Sequence, residues 1–268
     1  MFKKIIFLFA LTVFISAGCS KYSKVLKSDD LAYKYTKAIE YYNDEEYIKC
    51  IPIFEELITL YRGTDKSEMV YYYYAMAHFG VKDYYLSSYY LKNFVKTYPS
   101  SNYAENCAFL SAYCSYLSSP NYELDQADTK TAVSEMQLFL DRYPSSTKRD
   151  SCNNIIDELR EKLAEKSYQN AKLYQQTENY KSAVVSLNNT IKDYPNSKHI
   201  EELNFLIVKS NFLLAINSIP AKKEERFKET IKSYTTFVDL FAKSKYINQA
   251  ENYYDSSIKE LEKLKITN

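Results

Sequence analysis

The residues able to do chemistry are few in this chain and poorly spaced for it. His78 and His199 are its two histidines, so the paired histidines with which a zinc hydrolase helix grips its metal are missing. No G-x-S-x-G turn and no Walker loop occurs. His78 falls inside an aromatic helix and reads as a packed or groove-facing imidazole. His199 follows Ser197-Lys198 at a helix start and reads as exposed. Cys50, Cys107, Cys114 and Cys152 are scattered, whereas structural zinc sites use closely spaced pairs. Cys107 and Cys114 lie seven residues apart on one helix, a rise of ~10.5 Å against the roughly 7 Å that a disulfide allows between Cα atoms. A bridge from Cys50 to Cys107 or to Cys152 stays open in an oxidising compartment; otherwise the thiols serve as small buried hydrophobes. The acidic pairs Asp29-Asp30 and Glu45-Glu46 sit in solvated stretches, with nothing nearby to shift a carboxyl pKa. No catalytic set, metal site or cofactor site converges, and the chain is expected not to be an enzyme.

Cys19 has a different neighbourhood. Lys3 and Lys4 lead an apolar run over residues 5–15, interrupted by Thr12, and Ser16, Ala17 and Gly18 follow. These are the charged, apolar and small-residue parts of a signal peptide. The run is 11 residues long, about half the ~20 that span a bilayer. Ser16-Ala17-Gly18-Cys19 resembles the bacterial lipobox, with Ser where Leu is usual. In that motif the Cys is lipidated, palmitate among its acyl chains, and becomes the mature N-terminus. Two or three chains on one residue anchor stably where a single one does not. Residues 1–18 are therefore read as a signal peptide, 19–30 as a lipidated tether and 31–268 as the folded domain.

Composition says which elements build that domain. Only 3 glycines and 6 prolines occur among 268 residues, well below about 7% and 5%. Long helices tolerate this scarcity; sandwiches, barrels and phosphate loops do not. The formal net charge of +1 becomes −1 once Lys3 and Lys4 leave with the signal peptide. No basic patch or stripe of the kind that nucleic acids need is present, and no small-molecule substrate is implied.

Self-similarity organises the helices. FEELITLYRGTDKS, LKNFVKTYPSSNYA, MQLFLDRYPSSTKR and LNNTIKDYPNSKHI end alike, and TTFVDLFAKSKYIN is a degenerate fifth copy. Each helix closes on an aromatic residue, usually before Pro, which forces the preceding residue out of the helical region. The Ser that follows is expected to cap the next helix. The closing positions are Arg62, Pro99, Pro144, Pro195 and Ala242. Counting back gives the small–aromatic–aromatic–small–large spacing of a tetratricopeptide repeat. It reads Ala38, Tyr41, Tyr47, Cys50, Phe54 in the first copy, Ala75, His78, Tyr84, Ser87, Leu91 in the second, and Ala171, Tyr174, Tyr180, Ala183, Leu187 in the fourth. Insertions are expected at residues 118–129 and 219–225, an extra helical stretch over about residues 149–162 that runs on into the fourth repeat without a breaker, and a terminal capping helix over residues 246–265. The fold expected is all-α, a tetratricopeptide-repeat solenoid of about five helix pairs with a C-terminal cap.

The lipobox, the five repeats and the Tyr-Pro-x-Ser endings together resemble the BamD family, the lipoprotein component of the machinery that assembles outer-membrane β-barrels. The most specific stretch is residues 155–197, where a Leu-Arg-x-x-Leu-Ala run joins directly to a repeat. The departures are Arg62 and Ala242 as closing residues and the richness in Tyr. The resemblance implies an anchor in the outer membrane facing the periplasm, with the barrel-forming subunit and unfolded outer-membrane proteins as partners. The alternatives are another periplasmic tetratricopeptide lipoprotein coordinating cell-envelope or secretion complexes, and a hydrolase on a helical scaffold, which lacks a catalytic set.

In repeats of this type the first helix of each pair lines the concave face. The inward positions are Tyr35, Ile39 and Tyr42, then Tyr72, Met76 and Phe79, then Phe109, Tyr113 and Tyr116. They form a slot for a peptide with aromatic side chains, or they are core, the lean being to core for Ile39 and Phe109. Tyr168, Lys172 and Gln175 give the fourth repeat a more polar face, suited to a folded partner.

Overall fold

The structure, a computed structural model, describes residues 21–267. The signal peptide and Cys19 lie outside these residues. Every described element is helical, and the helices pack in consecutive pairs as in a tetratricopeptide-like array.

Two compact units divide the chain, Asn121–Gln126 and the residues from Asp157 onward forming the second. The first holds α1 (Leu31–Asn43), α2 (Tyr47–Leu60), α3 (Ser67–Gly80), α4 (Tyr84–Thr97), α5 (Ala104–Leu117) and α6 (Ala127–Arg142). Each packs on the next, and α1 also meets α3. The second holds α8 (Tyr180–Asp193), α9 (Ile200–Ile216), α10 (Pro220–Leu240) and α11 (Ile247–Thr267), packed in sequence, with α9 also against α11. The division falls inside α7 (Arg149–Gln176), an uninterrupted helix of 28 residues. The extra stretch expected from residue 149 is thus one element with the first helix of the fourth pair.

The repeat spacing explains the core. Ala38, Ala75, Ala112, Ala171 and Ala183 are each at most 1% exposed, as small residues must be where two helices cross closely. Beside them Phe54, Leu91 and Leu187 are fully buried. The turns within three pairs share one geometry without glycine. Glu45, Lys82 and Glu178 take φ of 58°, 63° and 62°. The next residue's N–H reaches back five residues, Asp83 to the His78 carbonyl at 2.9 Å and Asn179 to that of Tyr174 at 2.9 Å, which closes a Schellman motif.

Between pairs, Tyr98 and Tyr194 leave the helical region as their prolines require, at ψ of 60° and 64°. Phe241 does the same at ψ 50° with Ala242 after it, so the turn geometry persists without proline. The serine has a different role from the one its position suggests. It stands before the helix rather than at its cap and closes the turn: Ser101 Oγ accepts from Tyr103 N–H at 3.0 Å, and Ser244 Oγ from Tyr246 N–H at 3.0 Å. Ser101 and Ser146 also donate at 2.6 Å to Glu68 and Glu105, tying each turn to the first helix of its own pair.

The insertion expected at residues 219–225 is helical from Pro220 onward. Pro220 occupies the first turn of α10, where its fixed φ is preorganised and its missing N–H is not needed, and the extra residues lengthen that helix. The stretch read as tether is helical at residues 21–26. It is held because Val25 is buried in the core of the first two pairs and the Tyr22 hydroxyl donates to the Lys49 carbonyl at 3.0 Å.

Candidate interaction surface

The aromatic positions singled out from the sequence meet in the first unit. Tyr35, Ile39 and Tyr42 on α1, Tyr72, Met76 and Phe79 on α3, and Phe109, Tyr113 and Tyr116 on α5 are all half-buried, each packed against the core from its rim. Ile39 and Phe109 do not differ from the rest in this. Tyr42 meets Tyr73 edge-on at 4.9 Å, Tyr73 meets Tyr72 at 5.6 Å, and Tyr72 reaches Tyr103 at 4.7 Å, so one ladder of rings joins α1 to α3 and on to the turn before α5. Tyr113 lies against Phe109 and Tyr116 at 5.8 and 5.5 Å. Burial pushes the Tyr35, Tyr42 and Tyr72 hydroxyls above their ordinary pKa, which keeps them neutral donors. A ladder with one ring edge packed and the other open offers aromatic contact without exposing a continuous greasy patch. Lys66 lies over the Tyr35 and Tyr61 rings at 4.9 and 5.4 Å.

A second surface was not anticipated. Between α4 and α6, with α5 as floor, run two hollows of about 260 and 100 Å³ that share Lys92. Tyr85 and Tyr89 stand on its rim at 67% and 59% exposure, opposite Leu138 at 61%. Two links cross the hollows: Lys92 to Glu135 at 2.7 Å and the Tyr85 hydroxyl to Asp128 at 2.9 Å. The signal in the sequence was Tyr85 and Tyr89, four apart on the outer face of a second helix, where solvated positions are normally polar.

The fourth-repeat residues do not form an open polar face. Tyr168 and Gln175 are buried, and Lys172 is spent on the Tyr168 hydroxyl at 2.8 Å and Glu202 at 3.0 Å. His199, expected to be exposed, stacks on Tyr168 with ring centroids 3.9 Å apart and faces Glu165 at 2.8 Å. Burial alone would raise the Glu165 pKa, but hydrogen bonds from Gln169, His199 and Lys198 outweigh it and hold the carboxyl at about 2. The partners sit 34 positions apart, which is why the sequence does not reveal the pair.

The remaining candidates for chemistry are packing residues. His78 is buried between Tyr74 and Tyr90, with centroids 4.8 and 5.6 Å away. Burial lowers its pKa against the opposing pull of Asp83 and Glu55. Its Nδ1 lies 3.8 Å from Asp83 and its Nε2 has no partner. Cys50, Cys107, Cys114 and Cys152 are buried free thiols. Desolvation pushes Cys50 and Cys107 up to about 12 and Cys114 to about 11, far from a reactive thiolate. Among the described residues no group of three metal-ligating side chains assembles, and no helix is long and apolar enough to cross a membrane.

What the geometry offers is therefore contact surface: rings, hollows and paired charges presented by stacked helices. Among curated proteins none matches the chain. The profile of the YfiO family, described as outer membrane lipoprotein, matches residues 28–226. That span is more than half of the chain, and the chain belongs to the YfiO family of outer membrane lipoproteins, the family of BamD.

Proposed function

We propose that this protein is a non-enzymatic scaffold of the β-barrel assembly machinery, anchored in the outer membrane through lipid on Cys19 and facing the periplasm. In this reading it binds the barrel-forming subunit and unfolded outer-membrane proteins. The observation that carries it is the family match over residues 28–226, which takes in the aromatic ladder from α1 through α3 to Tyr103 and the ring cluster on α5. The ladder suits extended segments with aromatic side chains, which gain about 25 cal/mol for each Å² of apolar surface buried.

The test is co-purification of the detergent-solubilised protein from its own membranes. The expected companion is a barrel-forming outer-membrane subunit; recovery of a cell-wall or secretion complex in its place would refute the assignment. Lipidation is tested apart from this. Mass spectrometry should find Cys19 acylated at the mature N-terminus, and Cys19→Ala should leave an unprocessed or soluble form.

A further inference from the structure

Residues 21–27 are the described part of the chain nearest Cys19, and they are tied down. The Tyr22 ring packs edge-on against Tyr41 at 5.7 Å, and its hydroxyl donates to the Lys49 carbonyl at 3.0 Å. Val25, 2% exposed, shares a core with Phe54 and Leu57. Three residue steps join Cys19 to Tyr22, and fully extended they reach at most ~10 Å. A lipidated Cys19 stands at the headgroup layer, which is itself roughly 5–8 Å thick on each side of the bilayer. With Cys19 lipidated, Tyr22, and with it the part of the α1–α2 pair on which it packs, stays within about 10 Å of the headgroup layer.

The face of this segment turned away from its core carries charge. Lys21, Lys24 and Lys27 recur every third residue and are all exposed. Tyr22 and Val25 take the inward side of the same turns. Among the described residues none of the three lysines has an ion-pair partner, whereas Lys34, Lys37 and Lys49 on the neighbouring helices are each paired with a glutamate. Leu26, 38% exposed, adds an apolar side chain beside them. Asp29 and Asp30 follow only after the turn, and the Asp30 carboxylate is committed to the Tyr33 N–H at 3.0 Å as the cap of α1.

We infer that the Lys21–Lys24–Lys27 face binds the anionic headgroups of the membrane that holds Cys19, so that the first helix pair is docked on the bilayer and not suspended from it. This rests on the lipoprotein reading for the position of Cys19. Charge complementarity and the short reach select a lipid surface over a protein partner.

The experiment uses the mature chain with Cys19→Ser, which keeps every described residue and carries no lipid. Its probe is vesicles of phosphatidylglycerol and phosphatidylcholine in equal parts, with phosphatidylcholine alone as control. Co-sedimentation with the anionic vesicles is expected at about 0.05 M salt and should be lost at about 0.5 M, where screening is nearly complete. Each lysine near an anionic surface contributes roughly fivefold, so K21Q/K24Q/K27Q should weaken partitioning about a hundredfold. The three side chains are exposed, and circular dichroism should show the triple variant folded. Equal binding by that variant, or no preference of the parent for anionic vesicles, overturns the inference. So does a variant that keeps its vesicle binding and loses a co-purifying protein, since the face would then serve a protein. Mass spectrometry of the wild-type N-terminus decides lipidation separately, so the two readings fail independently.

Discussion

Gly80 ends α3 with no room for a side chain. A Cβ built there would stand 2.5 Å from two ring carbons of Tyr47 and 2.6 Å from a third, where carbon atoms normally rest about 3.5–4.0 Å apart. In Gly80→Ala the ring has to give by about 1 Å. It is not free to do so. Tyr47 meets Tyr42 edge-on at 5.5 Å, Tyr42 meets Tyr73 at 4.9 Å, and Tyr73 stacks on the buried Phe54 at 5.9 Å. Overpacking of this kind costs about 1–3 kcal/mol. Alanine recovers at most ~1 kcal/mol over glycine in a helix, and less at a terminal position. A net loss of about 1–2 kcal/mol follows, which lowers Tm by about 2–8 °C in a chain of this size. Thermal melts of Gly80→Ala, Tyr47→Leu and the double variant form a cycle. The double variant should cost less than the two single changes together, because removing the ring removes the clash. A Gly80→Ala protein that melts at or above wild type, or a strictly additive cycle, refutes the reasoning.

Ala183→Leu should overpack the crossing of α7 and α8, where Ala183 is fully buried, at about 1–3 kcal/mol; a melt matching wild type would show the repeat register wrong there. Stability should fall on acidification because of His78. Burial lowers its folded pKa from 6.5, so the unfolded chain takes up a proton that the fold resists. Its contribution is intact above 6.5 and is lost as pH falls below that value, at up to about 1.4 kcal/mol per pH unit; denaturant titrations at neutral and mildly acidic pH should differ less in His78→Gln. Changing Tyr72 and Phe79 together to Ser should weaken capture of an aromatic-ended peptide, read by fluorescence anisotropy, and leave partner co-purification intact. A folded double variant that binds as tightly as wild type would assign these rings to the core alone.

The fold was legible where the cause is local. Proline after Tyr98 and Tyr194 forces the preceding residue out of the helical region and so ends the helix there, and alanines at helix crossings recur in phase with the repeat. An insertion counted against the repeat, such as residues 219–225, says nothing of its conformation: with Pro220 leading and Lys222 paired to Glu225 at 3.1 Å, helix was the available state. The turn serines misled by position, since a hydroxyl two residues before an N–H closes a turn as readily as it caps a helix. The inward rings of α1, α3 and α5 share one periodicity, but Tyr73 and Tyr103, which join Tyr42 and Tyr72 into a ladder, fall outside it. The hollow between α4 and α6 could not be read from any periodicity, because it exists only once two repeats lie side by side. His199 looked solvated for the same reason, its acidic and aromatic neighbours arriving from another helix.

The buried cysteines carry a practical consequence. Cys50, Cys107, Cys114 and Cys152 all fall in the first unit, and the second contains no cysteine at all. A thiol that stays protonated and enclosed reacts only when its surroundings open, so the rate at which each becomes modified is a clock for that opening. Four such clocks are distributed through α2, α5 and the start of α7. Alkylation under native conditions, followed by peptide mass analysis, would time the breathing of the first unit position by position without an engineered label, while the second unit stays silent in the same experiment.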